Sequence, residues 1–193
     1  MENSFKGWFQ IRSYEVDFQR KVQPVTLLNY LQDVASEHAK GLGLSVTDLY
    51  PRNFTWVLSR YHIKIERYPL WGESIKVETW PSGRQRLLAI RDFEATDEKG
   101  DTLVLATSSW ILINLQNKRP LRLDDSLPEY PVLDRRTIED DFKPLPVLEK
   151  TDIELPFRVR MSDLDLNTHV NHTVYIQWAL ETVPQEILQK NYF

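Results

Sequence analysis

The sequence predicts an α+β fold, and three observations carry that prediction. Leu27, Leu28, Leu31, Val34 and Ala35, with Tyr30 at the edge, form an apolar stripe at helical spacing. A helix so rich in Leu needs cover over much of its surface, and four β-type runs follow it without an intervening long helix. The same order, a strand-like run leading into an amphipathic helix, recurs in the second half around residues 157–182.

In chain order, residues 8–18 alternate and are rich in aromatic and β-branched side chains, which reads as a first strand. The helix follows Pro24 and stops by Gly41. His38 falls near its apolar stripe and reads as a satisfied edge histidine. The strand candidates are residues 55–66, with Val57, Tyr61, Ile63 and Ile65 at even spacing, then 74–80, 87–95 and 102–115. Turn signals separate them at 68–72, at Pro81-Ser82-Gly83 and at 97–101. Residues 117–150 change character: Pro120, Pro128, Pro131, Pro144 and Pro146 interrupt any long element, and Glu139-Asp140-Asp141 adds a charge run. The domain reading is therefore a first domain over 1–118, a proline-rich linker over 119–150 with solvated charges, and the start of a second domain over 151–193.

Composition excludes several function classes. The chain has 193 residues, 41% hydrophobic and 27% charged, the balance of an ordinary globular protein. No apolar run approaches the roughly 18 residues a membrane helix needs. The N-terminus lacks the apolar core and cleavage site of a signal peptide. There is no Cys for a disulfide framework. With a net charge of −4, general nucleic-acid binding is not expected. Together these point to the cytoplasm.

The densest chemistry lies in the ten residues from Asp163 to His172: Asp163, Asp165, Asn167, His169, Asn171 and His172 supply two carboxylates, two carboxamides and two imidazoles. A polar group buried without a partner costs about 1–3 kcal/mol, so this density needs a reason. Helix capping and turns would use one or two such residues, not six. Asp165, Asn167 and His169 alternate with Leu164, Leu166 and Thr168, so an extended segment would point the three to one side. A helix starting near Thr168 would put free N–H groups at Val170 and Asn171 beside them, where they could hold an oxyanion. That set suits attack on an acyl carbonyl. A Ser or Cys triad does not fit, because there is neither a Cys nor a Gly-x-Ser-x-Gly elbow. His169 and His172 lack the flanking pattern of a metal site, so no metal is expected.

Asp163-Leu164-Asp165-Leu166-Asn167-Thr168-His169-Val170-Asn171, followed by Tyr175-Ile176-x-Trp178 and Glu181-Thr182-Val183-Pro184, resembles the active-site segment of acyl-acyl carrier protein thioesterases. Thr55-Trp56-Val57-Leu58-Ser59-Arg60, Arg67-Tyr68-Pro69-Leu70-Trp71-Gly72-Glu73 and Ser108-Ser109-Trp110-Ile111-Leu112-Ile113-Asn114 are similar to segments of the family's first domain. A shorter Asp-x-Asp…His-Val-Asn-Asn signature also occurs in single-domain acyl-CoA thioesterases. The resemblance implies a tandem hotdog fold, each copy a long central helix wrapped by an antiparallel sheet, with the acyl-chain pocket in the first.

It also implies hydrolysis of a fatty acyl thioester on the phosphopantetheine of an acyl carrier protein, ending fatty acid synthesis, with no cofactor. Asp165, Asn167 and His169 would be catalytic and the Val170 and Asn171 N–H groups the oxyanion donors, with Asp163, His172 and Glu181 as supporting residues. Tyr175 and Trp178 read as core. Arg52, Arg60, Lys64, Arg84 and Arg86 are the basic candidates for docking an acidic carrier. An acyl-CoA thioesterase on the same fold and a non-catalytic acyl-binding hotdog protein are the alternative readings.

An internal repeat is also legible. A shift of 145 lays Val25 on Val170, Tyr30 on Tyr175 and Leu31 on Ile176, which sets Arg20, Val22 and Pro24 opposite Asp165, Asn167 and His169. In that register the first copy has lost the chemistry. The second copy stops early, because the first uses roughly sixty further residues for its sheet and one helix cannot bury enough surface alone. The expectation is a truncated second hotdog lacking an acidic residue of the catalytic set, or a sheet supplied by another chain, as in a homodimer.

Overall fold

The computed structural model describes residues 3–184 and Ile187, so the last part of the expected second domain over 151–193 lies outside the described residues. The chain divides into two compact units, Met1–Phe142 and Lys143–Phe193.

The first unit begins with β1 (Phe5–Gln10), then a 3₁₀ turn (Ser13–Glu15), α1 (Pro24–Gly41) and the short α2 (Val46–Leu49). Four strands follow, β2 (Phe54–Ile65), β3 (Ser74–Arg84), β4 (Leu88–Asp97) and β5 (Thr102–Asn114), with a single helical turn α3 (Leu123–Ser126) after them. All pairings are antiparallel, in the spatial order β1-β3-β4-β5-β2. The sheet curls round α1, whose buried face is Leu27, Leu28, Tyr30, Leu31, Val34, Ala35 and His38. This is the hotdog arrangement.

The core follows from those faces. Leu27, Leu31 and Val34 of α1 pack with Ile75, Val77, Phe93, Val104 and Ala106 from the inner face of the sheet. A second cluster, Leu44, Leu49, Leu112, Leu123 and Leu127, closes the far end. The sheet can approach the helix because β1 carries Gly7: a Cβ there would stand 2.7 Å from Val34 Cγ1. His38 lies inside the buried stripe, where its Nδ1 accepts a hydrogen bond from Arg91 at 3.1 Å. The same Arg91 nitrogen donates to Thr79 Oγ1 at 3.1 Å.

Three expectations are corrected here. The first strand is shorter than residues 8–18, because Arg12 and Glu15 close a capping box and turn the chain into a 3₁₀ turn. Pro81-Ser82-Gly83 is not a turn: β3 runs on to Arg84 through a bulge between Pro81 and Gly83. Residues 119–142 are not a solvated linker but a strap on the first unit. Leu123, Leu127 and Ile138 are buried. Trp80 Nε1 donates to Arg135 O at 2.8 Å, and the Arg135 guanidinium lies over the Trp80 ring. Asp140 of the expected charge run bonds His62 Nδ1 at 2.7 Å.

In the second unit, residues 143–160 form no helix or strand and are exposed. A 3₁₀ turn (Met161–Asp163) and α4 (His172–Glu181) follow. Trp178 stacks on Phe157 with ring centroids 5.4 Å apart and meets Tyr175 edge-on. Tyr175 is itself exposed, contrary to the expected core position.

Candidate active site

The Asp163–His172 segment folds as one tight hairpin loop between the 3₁₀ turn and α4. Leu164 and Val170 face each other in an antiparallel bridge. On one side of the bridge Asp165 N donates to His169 O, and on the other Asn171 N donates to Asp163 O, both at 2.8 Å. Thr168 N donates to Asp165 O at 3.0 Å, which sharpens the reversal. The Asp165 carboxylate sits at its centre: Oδ1 accepts Asn167 N at 2.8 Å and His169 N at 3.1 Å. One oxygen of Asp165 is therefore committed to the loop, and Oδ2 is the oxygen these two bonds leave unused.

The flanks are fixed as firmly. Asp163 is buried, and its Oδ2 accepts Arg160 N at 2.8 Å. Asn171 caps α4, its Oδ1 accepting Thr173 N at 3.0 Å and Thr173 Oγ1 at 3.1 Å. Asn167 and His172 are half-buried and His169 is exposed. Burial holds the His172 imidazole below the ordinary histidine range, and the Asp165 charge pulls it part of the way back.

This geometry changes the expected oxyanion donors. α4 opens at His172, not near Thr168, because the bridge keeps Val170 extended and Asn171 takes the capping position. The Asn171 N–H is spent on Asp163 O. The Val170 N–H faces away from the bridge, because in a non-hydrogen-bonded pair both N–H groups point outward. Glu181 lies exposed at the other end of α4, about 13 Å along the axis from His172, and does not join the loop.

The loop has a twin that the 145-residue shift misses. In the first unit Arg12 and Glu15 close a 3₁₀ turn, Val16 bridges Val22, and Asp17 Oδ1 accepts Gln19 N at 2.8 Å and Lys21 N at 3.0 Å. Arg20 takes φ 67° where Thr168 takes φ 60°. Gln23 N donates to Glu15 O at 2.9 Å, as Asn171 N does to Asp163 O. The register is therefore 148, and it sets Asp17, Gln19 and Lys21 opposite Asp165, Asn167 and His169. The first copy keeps the carboxylate and an amide and replaces the exposed imidazole by an amine. A carboxylate at this place is thus a structural staple in both copies, and only the second copy adds the imidazoles.

Thr168 is a β-branched residue held at positive φ. Thr168→Gly is expected to stabilise the protein by about 1 kcal/mol, read from urea denaturation. A lower midpoint would mean that the Thr168 side chain holds the loop.

The basic candidates separate by environment. Arg84 is clamped: Nε bonds Asp124 Oδ1 at 2.9 Å, Nη1 bonds Pro128 O at 2.9 Å, and the guanidinium covers the Tyr130 ring. It holds the strap and is not a free docking charge. Arg52 donates to Ser126 O and covers Phe54. Arg60 is half-buried and donates to Ser59 O at 2.8 Å. Lys64 and Arg86 are exposed. No group of three or more His, Cys, Asp and Glu positioned for a metal ion occurs among the described residues.

Residues 2–130 match the family model described as the acyl-ACP thioesterase N-terminal domain, and residues 148–192 match that of the C-terminal domain. The chain is 35% identical over 200 residues to the chloroplastic palmitoyl-acyl carrier protein thioesterase of Cuphea hookeriana, covering 96% of this chain and 48% of that one. Its fold is similar to the solved acyl-ACP thioesterase of Bacteroides thetaiotaomicron, with TM-score 0.83, 30% identity, and 97% and 76% of the two chains covered. It is also similar to the 12:0-ACP thioesterase of Umbellularia californica, with TM-score 0.83, 30% identity, and 96% and 72% covered. The chain spans about half the length of the curated relatives it matches.

Proposed function

The chain belongs to the acyl-ACP thioesterase family, and from that premise we propose that it hydrolyses the thioester of fatty acyl-acyl carrier protein, releasing free fatty acid and ending chain growth. The observation that carries the reading is the pinned Asp165 carboxylate, with one oxygen fixed by two loop N–H groups and Asn167 and His169 on the same hairpin.

Asp165 acts on the thioester carbonyl through Oδ2, as general base for a water or as direct nucleophile. Asn167 orients that carboxylate or donates to the carbonyl oxygen. His169, exposed where a leaving group can reach it, protonates the departing thiolate. The Val170 N–H holds the oxyanion. Asp163 is a positioning residue that keeps the turn closed. The first unit supplies the acyl-chain pocket. No cofactor enters the scheme.

The partner is the acyl carrier protein, with Lys64 and Arg86 as its exposed basic contacts. A second copy of this chain is the proposed cover for Phe157, Val159 and Tyr175, which are exposed on the second unit; sedimentation tests that. No helix among the described residues is long and apolar enough to cross a membrane. The proposed compartment is the cytoplasm, although the matched plant relatives are named chloroplastic.

An acyl-CoA thioesterase is the second reading, on the shared His169-Val170-Asn171 signature. Rates on the same acyl chain carried by carrier protein and by CoA, at low and high ionic strength, separate the two. The carrier substrate should be preferred, and its kcat/KM should fall with salt because charge steers docking. Equal rates and a flat salt profile would favour the CoA reading.

A further inference from the structure

Resting on that hydrolase reading, we infer that the carrier protein docks an acidic amphipathic helix in an open groove on the outer face of the first unit's sheet, between the β3–β4 tip and the start of the strap. The groove has a volume of about 440 Å³ and is lined by Gln85, Arg86, Leu87, Leu88, Ile111 and Pro120. Strand register places it. Ile111 of β5 stands opposite Val57 of β2 on one side and Leu88 of β4 on the other. Residues directly opposite in an antiparallel pair share a face, so the three form one apolar row across the sheet. Thr107 and Asp92, four residues away on the same two strands, point the same way, and there Arg136 of the strap covers them. The row itself is left open: Val57 at its end and Leu87 beside Leu88 are exposed.

Hydrogen bonds fix both walls. Gln85 N donates to Leu88 O at 2.8 Å, which leaves Arg86 and Leu87 as a two-residue tip. Arg86 O accepts Leu123 N at 3.1 Å and ties that tip to the strap. Opposite, Pro120 bridges Ile113 and Leu121 N donates to Leu112 O at 2.8 Å, so the strap begins by running back along β5. Asn114 Oδ1 accepts Gln116 N at 2.9 Å and Asn117 N at 3.1 Å, which holds the reversal that carries Lys118 and Arg119.

The charges select the occupant. Residues 116–122 hold Lys118, Arg119 and Arg122 and no carboxylate, in a chain whose net charge is −4. All three are exposed, as is Arg86 at the tip. Among the described residues Arg86, Lys118 and Arg119 enter no ion pair, and Arg122 meets Asp125 only at 4.0 Å between two exposed side chains. An apolar floor under a rim of available cations fits an amphipathic helix whose apolar side chains enter the groove while its carboxylates meet the rim. A second copy of this chain, packed symmetrically, would bring the same positive rim against this one. A nucleic acid would take the rim through its phosphates and leave the apolar floor wet.

Four full-length proteins test it: wild type, L87D, R119E and K99E. Leu87 and Arg119 are exposed, so neither change disturbs the core, and Lys99 carries the control reversal beyond the other end of β4. On an acyl carrier substrate, L87D and R119E should each raise KM about 10-fold with kcat little changed, while K99E stays within about 2-fold. R119E should also flatten the fall of kcat/KM with salt. All four should hydrolyse the same acyl chain on a short pantetheine thioester at one rate, because that substrate has no helix to dock. Unchanged KM in L87D and R119E on the carrier substrate overturns the inference, and so does a rise in K99E equal to theirs or an equal loss on the pantetheine thioester.

The second arm does not depend on turnover. Calorimetric titration with holo carrier protein, free of acyl chain, should show binding to wild type and K99E and about 10-fold weaker binding to L87D and R119E. A wild type that hydrolyses the pantetheine thioester but binds no carrier overturns the groove and leaves the hydrolase reading standing. A wild type that binds carrier but releases no thiol from either substrate overturns the hydrolase reading instead, and the titrations of L87D and R119E then still decide the groove. Loss of self-association in L87D at unchanged carrier affinity gives the groove to a second copy and overturns the inference.

Discussion

Asp165→Asn should abolish thioester hydrolysis while leaving the loop folded. The asparagine carbonyl oxygen can take the place of Oδ1 and accept the Asn167 and His169 N–H groups, so the turn survives. What disappears is the charge and basicity at the second oxygen. A base or nucleophile contributes on the order of 10²–10⁴-fold, so kcat should fall by about 10³-fold or more. Asp165→Ala is a poorer experiment, because it also deletes two hydrogen bonds at the reversal and confounds chemistry with folding.

The first unit supplies the control. Asp17 holds the same two bonds in the twin loop, so Asp17→Asn makes the same chemical change in the same backbone frame. It should leave turnover within a few-fold of wild type, with unfolding midpoints for the two variants similar. Equal losses of activity in D17N and D165N would mean that the carboxylate serves only to hold turns.

The largest expected effect on stability is at Asp92. It is fully buried on β4, and its carboxylate accepts Thr107 Oγ1, Arg136 Nε at 3.2 Å and Thr137 N at 2.7 Å. Arg136 is further tied to Ile138 O at 3.0 Å, so one carboxylate fastens the strap to the sheet. Asp92→Ala would leave the partly buried Arg136 guanidinium and the Thr137 N–H without their carboxylate. Breaking a buried pair from one side costs about 3–5 kcal/mol. Urea denaturation of the full-length protein should show a loss of that size. The double variant D92L/R136M should recover much of it, because two apolar groups leave nothing unpaired. A loss under about 1 kcal/mol for D92A would mean that water reaches the pair.

The helix and the four later strands were legible from side chains alone: the α1 stripe buries Leu27, Leu31 and Val34, and the evenly spaced Tyr61, Ile63 and Ile65 of β2 pack against the same core. The strap was not. Its prolines signal the absence of long elements, but nothing in residues 119–142 announces that Arg136 will find a carboxylate forty-four positions earlier. Partners that distant are set by sheet register, which composition does not carry.

The repeat shows a subtler limit. Aligning the two helices by their aromatic and aliphatic positions gives a shift of 145, three residues from the register the loops define. Three residues are close to one helical turn, so a helix slid by that amount keeps its apolar face and the match looks sound. A turn has no such tolerance. Arg12-x-x-Glu15-Val16-Asp17-x-Gln19 against Arg160-x-x-Asp163-Leu164-Asp165-x-Asn167 was present in the sequence, and it was the signal that would have fixed the register. The loop's polar density was legible, and in the structure Asp163, Asp165 and Asn171 spend their side chains on N–H groups of the loop and of α4; that Asn171 would spend its N–H on Asp163 was not, because it depends on the bridge between Leu164 and Val170.

The most direct test is free-thiol release from a chain-length series of acyl carrier substrates by the full-length protein, with bound acyl chain measured in parallel. The account predicts thiol and free fatty acid in equal amounts, over many turnovers, for at least one chain length. Acyl chains that bind while no thiol appears at any length would contradict it and leave an acyl-binding hotdog protein in its place.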